Sequence, residues 1–244
     1  MARALIRHVQ QELRFTKTKK GGKRRRKGGR PPKGPRSSER HEVRSPVRRT
    51  EPVHVVCRVV RDVGALRKRK AYAAVRRALV VTFAREGFRV VHLSIQGTHL
   101  HLLVEADDRM TLARGMQALQ ISAAKHLNAA CGGRRGTVFS DRYHAESITS
   151  PKQTRNTLAY VLNNWRKHGE HRVRATRAWS IDLFSSATSF DGWLDHDETY
   201  VPPPTYERLP VHAPRSWLLR TGWRRHGLIG VTEVPSSKRH TPAE

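Results

Sequence analysis

Apolar and polar residues change their spacing along the chain between Pro52 and Gly87, and each spacing predicts a different element. The run VHVVCRVV over Val53–Val60 is rich in β-branched residues, which is typical of a strand. Over Ala65–Glu86 the apolar residues recur every three or four positions, which predicts a helix that ends at Gly87. The predicted buried stripe of this helix consists of Tyr72, Val75, Leu79 and Phe83.

A hairpin and a second helix follow. Phe88–Ile95 and His99–Glu105 are strand-like and flank the short turn formed by residues 96–98, so they predict two paired strands. Asp107 and Asp108 then precede a helix that extends to about Ala130, because acidic residues favour helix starts. Its predicted apolar stripe consists of Leu112, Met116, Leu119 and Ala123.

The last predicted elements complete a fold class. Val138–Thr149 contains at least one more strand, and Pro151 begins a helix that reaches about His168. The order β-α-β-β-α-β followed by a helix predicts an α+β, ferredoxin-like split βαβ sheet with an added C-terminal helix. We expect parallel neighbours in one sheet, two helices on its far face and an open opposite face.

The net charge of the chain indicates a polyanionic partner. The 244 residues carry 48 Lys and Arg against 20 Asp and Glu, a net charge of +28. Residues 16–50 contain 15 Lys and Arg and two Glu among Gly, Pro and Ser, so we expect a largely disordered cationic arm over residues 1–50. Its run Arg24, Arg25 and Arg26 is a candidate for phosphate binding.

Several classes of protein are excluded or disfavoured. The sequence contains no apolar run approaching the roughly 18 residues of a membrane span, and Met1–Gln10 lacks the apolar core of a secretion signal. Cys57 and Cys131 lie far apart and predict two buried thiols rather than a disulfide framework. These features predict a cytoplasmic protein without a membrane partner.

Residues 171–244 form a Trp- and Pro-rich extension whose role the sequence leaves open. Four of the five tryptophans lie in it: Trp179, Trp193, Trp217 and Trp223. The stretch SWLLRTGWRRHG predicts a short helical unit with a basic end. The extension either packs back on the preceding domain, predicted over residues 51–170, or contacts nucleic acid.

A histidine pair on the third predicted strand is the first chemical candidate. Since side chains alternate along a strand, His99 and His101 face the same side as Leu103 and Glu105. On the expected open face of the sheet, two neighbouring imidazoles are close enough to share one divalent ion. With 14 histidines in the chain the pair carries little weight alone, and exposed histidines without a metal remain the alternative.

The last predicted helix brings together a second set of polar groups. Tyr160, Asn164 and Lys167 follow one another by about one turn, away from the apolar stripe of the helix. They indicate either a nucleophilic phenol with a metal ligand one turn behind it or a tyrosine with its hydroxyl in water. The apolar stripe consists of Leu158, Val161, Leu162 and Trp165.

Three segments together resemble a known family. HLHLLVE on a strand, VFSDRYHAESIT after it and LAYVLNNWRKHG on a helix are similar to the single-tyrosine HUH transposases, and within them to the REP-associated tyrosine transposases and insertion-sequence transposases. The resemblance covers residues 52–169. Two positions depart from the family pattern: Gly97-Thr98 stands where Pro-Asn is frequent, and Trp165 stands where Pro is frequent.

The resemblance implies roles for individual residues. His99 and His101 match the pair that binds a divalent metal, Mg²⁺ or Mn²⁺, and Asn164 matches the polar residue that completes the metal site. Tyr160 matches the nucleophilic tyrosine. Phe139, Arg142 and Tyr143 match positions before the tyrosine helix at which packing is the expected role. We also regard Arg142 and Lys167 as candidate DNA contacts.

The expected function is therefore a metal-dependent single-tyrosine DNA transposase that nicks and rejoins single-stranded DNA through a 5′-phosphotyrosine. The resemblance implies hairpin-forming repeats as the substrate, an association with the nucleoid, and either a monomer or a homodimer. A DNA-binding protein that retains the fold without cutting is the alternative. An RNA-binding module is disfavoured because histidines stand where such modules place stacking aromatic residues.

Overall fold

Four strands and four helices form the main regular elements of the part of the chain that the structure describes. The computed structural model describes residues 45–173, 180–195, 202 and 204–234. The strands are β1 (Val53–Arg58), β2 (Phe88–Ile95), β3 (His99–Ala106) and β4 (His144–Ser147). The helices are α1 (Arg69–Leu79), α2 (Arg109–Ala130), α3 (Pro151–Lys167) and α4 (Trp217–Arg220). Residues 1–44 of the predicted basic arm, which include Arg24, Arg25 and Arg26, lie outside the described residues.

The strands form one antiparallel sheet in the order β2-β3-β1-β4. The expectation of parallel neighbours was wrong. β1 and β2 run in the same direction, but β3 lies between them and pairs antiparallel with both. The short turn between β2 and β3 makes them a hairpin, so the crossover through α1 has to place β2 one strand away from β1.

α1 and α2 cover the first face of the sheet, as the apolar spacing predicts. The α2 stripe of Leu112, Met116, Leu119 and Ala123 is buried there. The Asp108 carboxylate caps α2 by accepting a hydrogen bond of 2.7 Å from the Thr111 amide, which satisfies a free donor of the first turn. Cys57 is buried in this core, whereas Cys131 is only half-buried.

The second face of the sheet is also covered, which corrects the expectation of an open face. α3 packs there through its apolar stripe, with Leu158, Val161, Leu162 and Trp165 all fully buried. Residues 180–195 and 204–234 add aromatic and aliphatic side chains to the same core, among them Phe190, Trp193 and Trp223. The described part of the C-terminal extension therefore packs back on the sheet and on α3.

α1 is shorter than the apolar spacing predicts. It begins at Arg69 rather than Ala65 and ends at Leu79, after which Val80–Ala84 form a 3-10 helix. The Thr82 hydroxyl donates to the Leu79 carbonyl at 2.6 Å, which tightens the chain at this point. Phe83 consequently leaves the buried stripe and is exposed, stacked on the His212 ring at 4.1 Å between centroids.

A buried ion pair joins the start of α1 to the C-terminal extension. The Arg67 guanidinium donates two hydrogen bonds to the Asp182 carboxylate, at 2.9 and 3.0 Å, and a third to the Ile95 carbonyl. Asp182 is fully buried, so losing either partner would leave an uncompensated charge in the interior. None of the described helices is long and apolar enough to cross a membrane.

Candidate active site

His99 and His101 lie side by side on β3, as the strand alternation predicts. Their ring centroids are 4.7 Å apart. Their face of the sheet includes Arg58 of β1, which pairs with His99 in the strand register. Because α3 covers this face, His101 is only 3% exposed and His99 is half-buried.

α3 places Tyr160 over the histidine pair. Ser150 caps the helix through a hydrogen bond of 3.2 Å from the Gln153 amide, and Pro151 occupies the first turn, where its missing N–H costs nothing. The Tyr160 ring meets the His101 ring edge-on, with centroids 5.2 Å apart. The Lys167 ammonium lies 5.3 Å from the centre of the Tyr160 ring, so the predicted neighbours on α3 do share one face.

Asn164 lies one turn after Tyr160 and is fully buried. Neither polar atom of its amide has a well-formed hydrogen bond among the described residues. A buried amide in this condition costs about 1–3 kcal/mol unless a ligand or water completes it. The Asn164 amide therefore offers a hydrogen-bond acceptor and a hydrogen-bond donor to a ligand beside the Tyr160 phenol.

His54 is a member of this cluster that the sequence did not reveal. Its Nε2 lies 3.1 Å from Nδ1 of His101, and the two rings stack with centroids 5.3 Å apart. It also meets the Tyr160 ring edge-on at 5.8 Å. Only the pairing of β1 with β3 brings it here, because 47 positions separate it from His101.

The hydrogen bond to His54 leaves the other nitrogen of His101 available. Nε2 of His101 is buried and has no hydrogen-bond partner among the described residues. If Nδ1 carries the proton and donates it to His54, Nε2 presents a lone pair, which is the form that a metal ion requires. The unpaired nitrogen and the unpaired amide of Asn164 suit a divalent ion.

The surroundings keep the three imidazoles neutral. Burial, reinforced by neighbouring histidines, lowers the pKa of His101 to about 2. Burial is also the main reason that the pKa of His99 is lowered to about 4, with the charge of Arg58 contributing. The pKa of His54 is lowered to about 4 by burial and by His144. Neutral imidazoles are metal ligands, whereas protonated ones are not.

The phenol of Tyr160 is also held in its neutral form. Burial raises its pKa, and the positive charge of Arg58 and the amide of Asn164 only partly offset that effect. A nucleophilic role therefore needs additional positive charge near the reacting oxygens.

His54, His99, His101 and Tyr160 line a cavity of about 940 Å³. Its wall is mainly basic and polar, and it includes Arg58, Lys152, Lys167 and His168. Two carboxylates, Glu146 and Glu233, also line it, but Glu233 is bound by the Arg155 guanidinium. The described residues contain no group of three or more His, Cys, Asp and Glu side chains arranged to hold a metal, so a site here depends on the Asn164 amide.

The family model described as "Transposase IS200 like" matches residues 50–164, which include β1 to β4, the histidine pair and Tyr160. This segment, just under half of the chain, is therefore similar to the IS200-like transposase family. No curated protein matches the chain.

Two solved structures are similar to this chain. One is a REP-associated tyrosine transposase bound to a REP hairpin, 15% identical, with a TM-score of 0.46, covering 72% of this chain and 100% of the other. The second is a protein from Deinococcus radiodurans R1, provisionally described as a transposase, 15% identical, with a TM-score of 0.35, covering 56% and 98%. Both TM-scores lie below 0.5, so the assignment rests on the family model.

The predicted residues of the segment before the tyrosine helix lie outside the cavity. Tyr143 is buried in the core under the first face, and Phe139 packs against that core, in agreement with the packing role expected for both. Arg142 is half-buried before β4 and does not line the cavity. Arg58 and His168, by contrast, line the cavity, and the sequence did not identify them; the register of β1 with β3 places Arg58 beside His99.

Proposed function

We propose that this protein is a single-stranded DNA endonuclease and strand transferase in which Tyr160 attacks a phosphodiester. In this step the phenolic oxygen loses its proton and forms a bond to phosphorus, while the bond from phosphorus to the 3′ oxygen breaks and that oxygen takes up a proton. The products are a 5′-phosphotyrosine and a free 3′-hydroxyl, which conserve the bond for rejoining. The observation that carries the proposal is the meeting of Tyr160 and His101 at one cavity, with Asn164 one turn after Tyr160 on the same helix.

The order of the elements supports the same proposal. The β-α-β-β-α-β order and the sheet order β2-β3-β1-β4 support the proposed ferredoxin-like split βαβ fold, in which α3 would be the added helix with the tyrosine. This arrangement sets α3 against the face of β3 that carries the histidine pair.

We further propose that His99, His101 and Asn164 hold a divalent metal, Mg²⁺ or Mn²⁺. Two neutral imidazoles and a neutral amide oxygen leave the charge of the ion uncompensated, and a bound ion would neutralise the non-bridging oxygens of the phosphate. The Nε2 of His101, which has no hydrogen-bond partner among the described residues, and the buried Asn164 amide beside the phenol support this ligand set.

The residues of the chain itself have distinct roles in this proposal. His54 fixes the tautomer and the orientation of His101 through the 3.1 Å contact between their nitrogens. The charge of Arg58 partly offsets the rise that burial causes in the pKa of the phenol, and the Lys167 ammonium lies over the Tyr160 ring. Both cations also attract the phosphate backbone to the cavity.

The proposed substrate is single-stranded DNA beside a hairpin. The cavity is lined by several cations and by polar side chains, which suits a flexible strand held mainly through its phosphates. A single strand also gives the phenol access to the backbone without the need to open a duplex.

The test is a covalent adduct. The full chain is incubated with labelled single-stranded DNA that carries a hairpin, in Mg²⁺, Mn²⁺ or EDTA, and separated on a denaturing gel. We expect a metal-dependent adduct that disappears in Tyr160→Phe, while the affinity for DNA changes by less than a few-fold because only a hydroxyl is lost.

Tyr72→Phe is the matched control, because its hydroxyl bonds to Tyr206 under the first face of the sheet, and the adduct should persist. An adduct of full yield in Tyr160→Phe would assign the nucleophile to another residue. Tight binding without an adduct across a varied pool of hairpins would instead support a DNA-binding protein that no longer cuts.

A further inference from the structure

The segment Arg215–His226 presents a tryptophan and several cations on the surface. It contains four arginines and no acidic residue. Trp217 is 49% exposed, whereas Trp165, Trp193 and Trp223 are at most 3% exposed. Arg220 and Arg225 are also exposed, and within the described part of the chain neither forms an ion pair. An exposed tryptophan among cations offers a flat ring and positive charge together, and tryptophan is enriched at interfaces.

The backbone that carries Trp217 is held firmly. The Glu105 carboxylate accepts hydrogen bonds from the amides of Arg215 and Ser216, at 2.8 and 2.7 Å. The Ser216 hydroxyl accepts from the Leu219 amide and caps α4. Leu218 and Leu219 are buried, so α4 is anchored from below while Trp217 points outward.

The indole itself has a fixed position. A Cβ atom built on Gly222 would lie 2.7 Å from the Trp217 ring, so the ring rests against the backbone of Gly222. The Arg225 guanidinium lies 4.9 Å from the centre of the same ring. A ring held by backbone on one side and by a cation nearby loses little conformational entropy when it binds a flat partner.

We propose that Trp217, together with Arg220 and Arg225, is an accessory binding site for unpaired nucleotides, in which the exposed Arg225 side chain moves from the ring to an adjacent phosphate and a base stacks on the ring in its place. Stacking on an exposed aromatic ring beside cations is how proteins bind single strands without reading their sequence. Duplex DNA does not fit as well, because its bases are stacked on one another. The net positive charge of the segment Arg215–His226 disfavours a basic protein as the partner of this site.

This site extends the proposed function, because the segment Gly222–His226 packs against α3, the helix that carries Tyr160. It rests on that proposal only in taking single-stranded DNA as the partner. Nothing in it requires cleavage or a metal.

The test measures binding alone. The full chain with Tyr160→Phe, in EDTA, is titrated into a labelled oligothymidine and, separately, into a blunt duplex of similar charge, with fluorescence anisotropy as the readout. We expect Trp217→Ala to weaken oligothymidine binding by about 5- to 100-fold, the range that the loss of one stacked base produces, and to leave duplex binding within two-fold. Trp217→Phe should retain most of the affinity.

Leu194→Ala is the matched control, because Leu194 is 65% exposed in the same extension and is not flanked by the arginines. Intrinsic fluorescence gives a second readout: oligothymidine should quench the Trp217 emission, and the quenching should be lost in Trp217→Phe. Equal losses for single-stranded and duplex DNA in Trp217→Ala, or no loss for either, would overturn the stacking site. Thermal midpoints that match the parent protein ensure that a loss of binding does not reflect unfolding.

The readout separates this site from the proposed chemistry. An absence of covalent adducts would leave the oligothymidine result untouched, because the binding assay already uses a variant without the phenol. Conversely, an inert Trp217 would leave Tyr160 as the proposed nucleophile.

Discussion

His54 shows how a single side chain can set the state of a whole site. Its imidazole contacts His101 through nitrogen and meets Tyr160 edge-on, so it touches a proposed ligand and the proposed nucleophile at once. Because burial keeps it neutral, its Nε2 can accept a hydrogen bond from the N–H at Nδ1 of His101 without adding charge to the site. Residues that orient a metal ligand in this way affect affinity for the metal as much as many ligands do.

We therefore expect His54→Phe to weaken Mn²⁺ binding by about 10-fold or more, since His101 loses the acceptor that orients it. Isothermal titration calorimetry of the full chain without DNA measures this directly. His54→Gln keeps an acceptor near His101 and should recover part of the affinity. An unchanged Mn²⁺ affinity in His54→Phe would show that His101 needs no such support.

His92 predicts a dependence of stability on pH. It is buried beside Ser186, and burial lowers its pKa to about 4. As the pH falls below about 6.5, His92 becomes protonated in the unfolded chain but stays neutral in the folded protein. The free energy of unfolding therefore decreases until about pH 4, where His92 is protonated in the folded state as well. The expected slope is about 1.4 kcal/mol per pH unit for this group.

Urea unfolding between pH 7 and pH 4 measures this slope. In His92→Gln the loss of stability on acidification should be smaller than in the parent, although the variant can be less stable at pH 7. A slope equal to that of the parent would mean that His92 does not titrate differently in the two states.

At the scale of elements, α2 lies so close to β2 that one position must be glycine. A Cβ built on Gly115 would lie 2.2 Å from Cγ of Phe88, which is itself buried in the core. Glycine in the middle of a helix costs about 1 kcal/mol relative to alanine, and this close approach explains its presence.

Gly115→Ala should therefore destabilise the protein by about 1–3 kcal/mol, because the crowding outweighs the gain in helix propensity. Gly97→Ala is the matched control, since no atom lies within 4 Å of a Cβ built there, and it should change stability by less than about 0.5 kcal/mol. Urea unfolding of both variants decides the matter. A neutral or stabilising Gly115→Ala would show that α2 can move away from Phe88.

Elements also show where spacing in the sequence stops being informative. The bounds of β2 and the apolar stripes of α2 and α3 follow the predictions, because these patterns record which side of an element is buried. The ends of α1 differ from the prediction because they depend on other contacts. Arg67 forms an ion pair with Asp182 before the helix begins, and the Thr82 hydroxyl donates a hydrogen bond to the Leu79 carbonyl where it ends. A three- to four-residue period does not record such contacts.

At the scale of the whole molecule, charge dominates the expected interaction with DNA. Residues 1–44 carry 16 Lys and Arg against three Glu, a net charge of +13. Removing them should weaken binding and flatten its dependence on salt, by about 0.7 in the logarithmic slope for each contact with a single-strand phosphate that is lost.

The deletion stops at residue 44 because Val47 packs against the core under the first face. Anisotropy titrations of the full chain and the shortened chain from 50 to 300 mM salt give the two slopes. Equal slopes would show that the arm makes no contact with the DNA.

The sequence by itself determined the order of the elements, the shared face of His99 and His101, and the shared face of Tyr160 and Lys167. These are local properties that the spacing of side chains along a strand or a helix records. Only the tertiary structure decided that α3 and the described residues of 180–195 and 204–234 close the second face, and that His54 and Arg58 join the site. Those outcomes depend on which distant surfaces pack together, as in the contacts of His54 with His101 across 47 positions and of Arg67 with Asp182 across 115.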